Sequence, residues 1–170
     1  RFFQTRSSVR DFSDEPVSDS EIDAAVGLAS LTPSACNRQS SRIYAIRKRE
    51  RIKELLALQL GDQGWCGNAD IMFIITGNMS CFGGVNERQQ VYIDGGMYAM
   101  NFVMGLHLAG IATCFKMFVR EPNLQKKVQT LCNIPQNETP IVCVFAGHYK
   151  DEPVNDPISF RINRQVEFVN

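Results

Sequence analysis

The sequence predicts an α+β domain in which a small sheet is flanked by helices. Two continuous apolar runs, Ile71–Thr76 and Pro140–Ala146, are typical of strands that are buried on both faces. A third stretch, Tyr92–Ala109, is apolar on nearly every side of a helix, which predicts burial in a large core or in a subunit interface. Helical and strand patterns are intermixed without an internal repeat, so we expect one domain over residues 1–170.

The other elements follow from local signals. Ser18 with Glu21 three residues later is a capping box, and the helix that it opens should end before Thr32-Pro33. The remaining elements are expected in this order: a strand over Arg42–Arg47, a helix over Glu50–Leu60, the strand Ile71–Thr76, the central helix ending at Gly110, a strand or cofactor-facing loop over Ile111–Phe118, a helix over Glu121–Cys132, the strand Pro140–Ala146, and a candidate strand at Val166–Val169.

Composition narrows the class of protein. Lys and Arg together number 18, as do Asp and Glu, so no net basic charge favours nucleic acid or a membrane surface. Six scattered cysteines without a CxxC pair indicate a reduced, cytoplasmic protein, and two distant histidines give no support for a metal site. The central helix is too short and too interrupted by polar residues to span a bilayer.

Three polar clusters are candidates for binding. The N-terminal cluster, Arg6, Ser7, Ser8 and Arg10, combines guanidinium groups with hydroxyls, the groups that bind phosphate or carboxylate. The second is the loop Pro33–Gln39, and the third is Arg161 with Arg164. Taken alone, the first more often indicates a solvated charged segment, and the second a simple connection between a helix and a strand.

The sequence lacks the motifs that are typical of several classes of enzyme. The sequence contains no GxGxxG after a strand, no P-loop and no GxSxG elbow. Cys36 has no histidine placed to activate it, since His107 lies in the apolar helix, where a core role is expected. No side chain is therefore predicted to be a catalytic nucleophile or base.

Taken together, the clusters resemble the FMN-dependent nitroreductase family, over almost the whole chain. The N-terminal pattern is Arg6, Ser8 and Arg10, and the second pattern is Pro33, Ser34, Asn37 and Gln39. The remaining matches are the helix end at Ala109, Gly110, Ile111, Thr113 and Cys114, the strand end at Gly147-His148, and Arg161. Their order and spacing, rather than any single motif, carry the resemblance.

The resemblance implies a mostly antiparallel central sheet and a domain-swapped type of homodimer with FMN at the subunit interface. Arg6, Ser7, Ser8 and Arg10 would hold the phosphate and ribityl chain, assisted by Arg161 and Arg164. The partner subunit would supply Pro33, Ser34, Ala35, Asn37 and Gln39. Asp62 and Gln63 would bond the pyrimidine edge, and Phe115, Lys116 and Met117 would lie near flavin N5 or the dimethylbenzene edge.

The implied activity is ping-pong transfer of a hydride from NADH or NADPH through the flavin to a nitroaromatic, a quinone or a similar acceptor. A specialised dehydrogenase or reductive dehalogenase on the same fold is one alternative, and an FMN-binding electron carrier or flavin reservoir is another. The chain departs from the larger family members at Gly77–Gln90, where an extra helical segment is absent. Gln39 is also not followed by the usual aromatic residue, so Trp65 or Phe82 is expected to line the substrate pocket, with Trp65 equally suited to a core position.

Overall fold

The computed structural model describes residues 2–58, 66–118, 121–151, 159–162 and 166–169. Within these ranges the helices are α1 (Phe2–Thr5), α2 (Asp19–Ala29), α3 (Arg49–Ala57), α4 (Gln90–Leu108) and α5 (Pro122–Leu131), and the strands are β1 (Ser41–Ile46), β2 (Ile71–Asn78), β3 (Ile111–Met117) and β4 (Glu138–His148). Short 3-10 turns occupy Ala35–Asn37, Met79–Cys81 and Val85–Glu87. The predicted α+β class is confirmed, and the predicted elements differ from the observed ones mainly at their ends.

The sheet is antiparallel throughout, with the strand order β1-β2-β4-β3. The interior strands are β2 and β4, which contain the two continuous apolar runs of the sequence. Both are buried along almost their whole length, because helices cover both faces of the sheet. The segment after the central helix, left open as a strand or a loop, is the edge strand β3.

Two apolar layers enclose the sheet. One face packs against α2 and α4 through a cluster that includes Phe73, Phe102 and Leu106. The other face packs against α3, α5 and the chain preceding α2, through a cluster that includes Phe12, Leu55 and Phe145. The side chains of β2 and β4 alternate between these clusters, as the two-residue period of a strand requires.

The capping box predicted for α2 is formed. The Ser18 hydroxyl accepts the Glu21 N–H, and the Glu21 carboxylate accepts the Ser18 N–H. The helix then lies so close to α4 that a Cβ added at Gly105 would stand 2.8 Å from the Ala25 Cα. This glycine therefore fixes the distance between the two helices on that face of the sheet.

Helix α4 is not covered on every side within one subunit. Four side chains form a stripe on its outer face with exposed fractions of 53% for Ile93, 40% for Met97, 39% for Met100 and 65% for Leu108. Their successive spacings of four, three and eight residues, about one or two helical turns, place them on one side of the helix. Helix α4 is therefore only partly buried in the core of one subunit, and its exposed stripe has the apolar character of an interface.

The C-terminal residues that the structure describes lie apart from this core. Phe160, Ile162, Phe168 and Val169 are all exposed. The candidate strand at Val166–Val169 is not formed, because residues 166–169 have no regular secondary structure. The sheet therefore gains no strand from these residues.

Candidate functional site

The N-terminal cluster lies along the free edge of β3. The Val9 N–H donates to the Thr113 carbonyl at 3.0 Å, and the fully buried Val9 side chain fixes the segment to the core. The guanidinium of Arg6 donates to the Ser7 carbonyl, and that of Arg10 to the Ser8 carbonyl, at 2.7 and 2.9 Å. Because Arg6 has five N–H donors, this one bond leaves it further capacity to bind an anion.

Arg10 and Lys116, a cation of β3, both lie near the thiol of Cys66. Lys116 and Arg10 both act electrostatically on the Cys66 thiol, whose backbone N–H donates to the Arg10 carbonyl. A hydrogen bond with Cys114 and burial nevertheless hold the pKa of the Cys66 thiol above its ordinary value, while the two cations act to lower it. Cys66 thus stays a neutral thiol in a positively charged environment.

The three β3 positions predicted to face the flavin differ in exposure. Phe115 and Lys116 are half-buried and Met117 is exposed. The Lys116 ammonium lies 5.6 Å from the centre of the Phe145 ring, within the range of a cation–π contact. This contact holds the lysine side chain against the sheet.

The loop Pro33–Gln39, called loop 33–39 below, has an unusual backbone. Cys36, Asn37 and Gln39 have φ values of 51, 55 and 48°, in the left-handed region that L side chains rarely adopt. None of the three is glycine, so each position is strained, and such strain is concentrated at functional sites. The exposed Cys36 is one of the strained residues.

Two polar contacts maintain this conformation. The Ser34 hydroxyl accepts the Gln39 N–H at 2.9 Å, which closes the loop on itself. The Asp94 carboxylate, only 2% exposed, accepts the Ala35 N–H at 3.0 Å and the Gln90 side-chain N–H at 2.7 Å. Asp94 therefore attaches the loop to the first turns of α4.

A cavity of about 140 Å³ lies beside loop 33–39. Its lining is drawn from the end of α2, the loop, the start of β1 and α4: Ser30, Thr32, Pro33, Ser34, Gln39, Ser41, Asp94 and Tyr98. Burial raises the pKa of Tyr98, so this phenol stays neutral. On the side of this cavity, the loop therefore faces neutral hydroxyl and amide groups and one carboxylate.

The N-terminal cluster and loop 33–39 lie at opposite ends of the sheet. The cluster binds Thr113, which pairs with Ala146 on β4. Ser41, just after the loop, pairs with Gly77, which pairs with Thr139 on β4. Ala146 and Thr139 are seven residues apart on this strand, or about 23 Å at about 3.3 Å per residue. One subunit does not bring these two parts of the predicted site together.

Comparisons with known proteins agree with this architecture. The family described as "Nitroreductase family" matches residues 3–63. A relative from Archaeoglobus fulgidus, provisionally named an NADH dehydrogenase/NAD(P)H nitroreductase, is 26% identical over 153 residues, which cover 89% of this chain and 86% of the relative.

Solved structures share the fold. A nitroreductase family protein of Streptococcus pneumoniae is 19% identical, with a TM-score of 0.79, and the match covers 95% of this chain and 94% of that one. An FMN-dependent nitroreductase of Clostridium difficile is 17% identical, with a TM-score of 0.77, and covers 92% of this chain and 90% of its own. The chain is thus similar to the nitroreductase family, by the family model over residues 3–63 and by its fold. The resemblance inferred from the sequence is thereby confirmed.

The short segment before α4 contacts loop 33–39. Arg38 forms an ion pair with Glu87 at 2.8 Å, and its guanidinium lies 5.3 Å from the centre of the Phe82 ring. The second Glu87 oxygen accepts the Gly83 N–H at 2.7 Å. Residues 79–88, called segment 79–88 below, are therefore attached to the loop whose backbone is strained.

Sequence reasoning did not select Arg38, Glu87 or Asp94 as site residues. Asp94 had a usable signal, since it is a lone carboxylate in an otherwise apolar helix. The Arg38–Glu87 pair had none, because its members are far apart in the sequence and ordinary in type.

Not every predicted residue falls within the described ranges. Asp62, Gln63, Trp65 and Arg164 lie outside the described residues. Arg161 is exposed on a segment without regular secondary structure, where its guanidinium donates to the Ser159 carbonyl at 2.9 Å.

The core position expected for His107 is not observed. It is half-buried at the end of α4, with its Nε2 2.9 Å from the Thr5 hydroxyl.

No helix in the described ranges combines the length and hydropathy that a transmembrane span needs.

Proposed function

We propose that the chain, as one domain over residues 1–170, is an NAD(P)H-dependent FMN oxidoreductase. Its acceptors would be nitroaromatics, quinones or similar two-electron acceptors, reduced in ping-pong order. The observation that carries this proposal is the N-terminal cluster, in which two half-buried arginines and two serines lie along the edge of β3, with Arg10 and Lys116 both near the Cys66 thiol. The fold and the family of the chain are consistent with it.

The cluster suits the phosphate of FMN. This phosphate carries close to two negative charges, and guanidinium groups bind phosphate oxygens in a forked geometry. Arg10 and Lys116 already share one environment through Cys66, so the local field favours an anion. The Ser7 and Ser8 hydroxyls would add neutral hydrogen bonds along the ribityl chain.

A complete site requires a second subunit. Loop 33–39 lies about 23 Å along β4 from the N-terminal cluster, so in the proposed dimer the partner supplies this loop. The exposed stripe Ile93, Met97, Met100 and Leu108 on α4 offers the apolar surface for that dimer. The exposed apolar tail residues, among them Phe160 and Phe168, add surface that a partner would cover.

The polypeptide would contribute position rather than acid–base groups. Bound FMN supplies the hydride-transfer chemistry between the nicotinamide and the acceptor. Arg6 and Arg10 fix the phosphate end, while Asn37 and Gln39, held in a strained backbone, offer preorganised amide groups to the ring. The rigid sheet edge at Phe115 and Lys116 would support the ring from the other subunit.

The first test is spectroscopic. The purified protein, or the protein mixed with FMN, should show flavin absorption at about 450 nm, and anaerobic NADH or NADPH should bleach it. Absorption without bleaching would favour the alternative of a flavin carrier. A dimer that takes up no FMN would contradict both functions.

The second test addresses the phosphate assignment. Arg10→Ala should weaken FMN binding by about 1.5–3 kcal/mol, or roughly 10- to 150-fold in Kd, the range for hydrogen bonds to a charged group. Arg49→Ala, at the exposed start of α3, is the matched control and should leave the Kd unchanged. An unchanged Kd for the Arg10 variant in a flavin titration would refute the assignment.

A further inference from the structure

We propose that Arg38 is a specificity-determining residue. Through its contacts with Glu87 and Phe82, it gives the acceptor pocket an aromatic wall without net charge, which selects uncharged planar acceptors. This inference rests on the proposed function, because it concerns the acceptor that the same site would take.

The first support is the position of Arg38 between two parts of the site. It directly follows the left-handed residues Cys36 and Asn37 and precedes Gln39, which is also left-handed. Its backbone is therefore fixed by the strained loop rather than by a flexible connection. The position of the Arg38 side chain therefore depends directly on the geometry of loop 33–39.

The second support is the way Glu87 uses both of its carboxylate oxygens. One oxygen lies 2.8 Å from the Arg38 guanidinium, and the other accepts the Gly83 N–H at 2.7 Å. Segment 79–88 is thus folded around the same carboxylate that neutralises Arg38. The Arg38 and Glu87 side chains are 30% and 34% exposed, so water screens this pair only in part.

The charges of this pair persist over a wide pH range. The Arg38 guanidinium, together with the Gly83 N–H, holds the pKa of the Glu87 carboxyl below its usual value. The same carboxylate raises the pKa of Arg38. Neither member becomes neutral near pH 7, so the wall keeps one positive and one negative charge in contact.

The third support is the orientation of Phe82. With the guanidinium 5.3 Å from the ring centre, the ring has a defined neighbour within the range of a cation–π contact. In the proposed site, Phe82 would take the place of the aromatic residue that does not follow Gln39 in this chain. A planar acceptor would find a fixed aromatic ring, while Glu87 keeps the nearby cation from attracting an anionic substituent.

The experiment compares two nitroaromatic acceptors of similar size, nitrobenzene and 4-nitrobenzoate, with the FMN-loaded dimer. Glu87→Gln keeps an oxygen for the Gly83 N–H but removes the charge that neutralises Arg38. We expect the ratio of kcat/KM for 4-nitrobenzoate to that for nitrobenzene to rise about fivefold or more at low ionic strength. This gain should shrink as salt is added, because an exposed charge is screened.

Two further variants make the result decisive. Glu54→Gln breaks a partly exposed ion pair with Arg51 on α3 and should leave the ratio unchanged. The double variant Arg38→Gln/Glu87→Gln should lose the gain, because the freed cation is then gone.

An unchanged ratio in Glu87→Gln, or a gain that persists in the double variant, would overturn the inference while FMN binding and NADH bleaching still support the proposed function. If the wild-type protein neither binds FMN nor reduces nitrobenzene, the proposed function fails, and this inference fails with it.

Discussion

The buried carboxylate of Asp94 allows a quantitative test of how loop 33–39 is held. Asp94 accepts one hydrogen bond from the Ala35 N–H and one from the Gln90 side chain. Asp94→Ala removes both bonds. Asp94→Asn can keep both, because its oxygen can accept from Ala35 while its amide donates to a reoriented Gln90 oxygen. The two substitutions therefore separate the hydrogen bonds from the negative charge.

The expected change in the free energy of unfolding is the difference between two opposing contributions. Each hydrogen bond to a charged group contributes about 1.5–3 kcal/mol, so the alanine variant loses two such bonds. Removing the carboxylate also removes its desolvation cost, several kcal/mol for a group that is 2% exposed. We expect a net loss of about 2 kcal/mol in the free energy of unfolding for Asp94→Ala, and less than about 1 kcal/mol for Asp94→Asn.

The assay is urea denaturation at one fixed protein concentration, since a dimer's stability depends on concentration. Asp23→Ala, on the exposed side of α2, is the control and should stay within about 0.5 kcal/mol of the wild type. FMN affinity should fall in the same order, with the alanine variant weakest, because the loop is part of the proposed site. Equal destabilisation by Asn and Ala, or an alanine variant as stable as the wild type, would refute the reasoning.

Three other predictions concern packing, assembly and pH. Gly105→Val should cost about 2–3 kcal/mol in unfolding experiments, because its Cβ would stand 2.8 Å from the Ala25 backbone, whereas Gly96→Ala, with no atom within 4 Å, should be tolerated. Met100→Lys should give monomeric or insoluble protein by size-exclusion chromatography, because it places a charge in the exposed stripe of α4, and a normal flavin-loaded dimer would place the interface elsewhere. The Ser18 hydroxyl and N–H hold the pKa of Glu21 below its ordinary value of 4.5, so its contribution to stability is present above that pH and is lost as the pH falls through the folded-state pKa. The stability difference between wild type and Glu21→Gln should therefore vanish on acidification, and a constant difference from pH 7 to pH 3 would contradict this.

Much of the fold was predictable because its signals are local. Strands β2 and β4 could be recognised as continuous apolar runs, and the start of α2 by the pairing of Ser18 with Glu21. The end of α4 was predictable because Gly110 adopts a φ of 80°, a conformation that favours glycine. These signals involve residues within a few positions of one another.

The geometry of the site was less predictable, because it depends on contacts between distant residues. Loop 33–39 has left-handed residues without a glycine, so its strain leaves no trace in the sequence. The Arg38–Glu87 pair joins two loops that only the folded chain brings together. The distance between the N-terminal cluster and the loop follows from the strand order and register, which a single sequence does not specify.

The distance along β4 between the N-terminal cluster and loop 33–39 has a consequence for co-expressed variants. In the proposed dimer, every flavin would be bound by the amino-terminal arginines of one polypeptide and the strained loop of the other. Two inactive variants, one lacking Arg10 and the other altered at Asn37, should then complement each other when co-expressed. Each mixed pair would reunite one undamaged Arg10 with one undamaged Asn37, so roughly a quarter of all sites would recover if the chains assort at random.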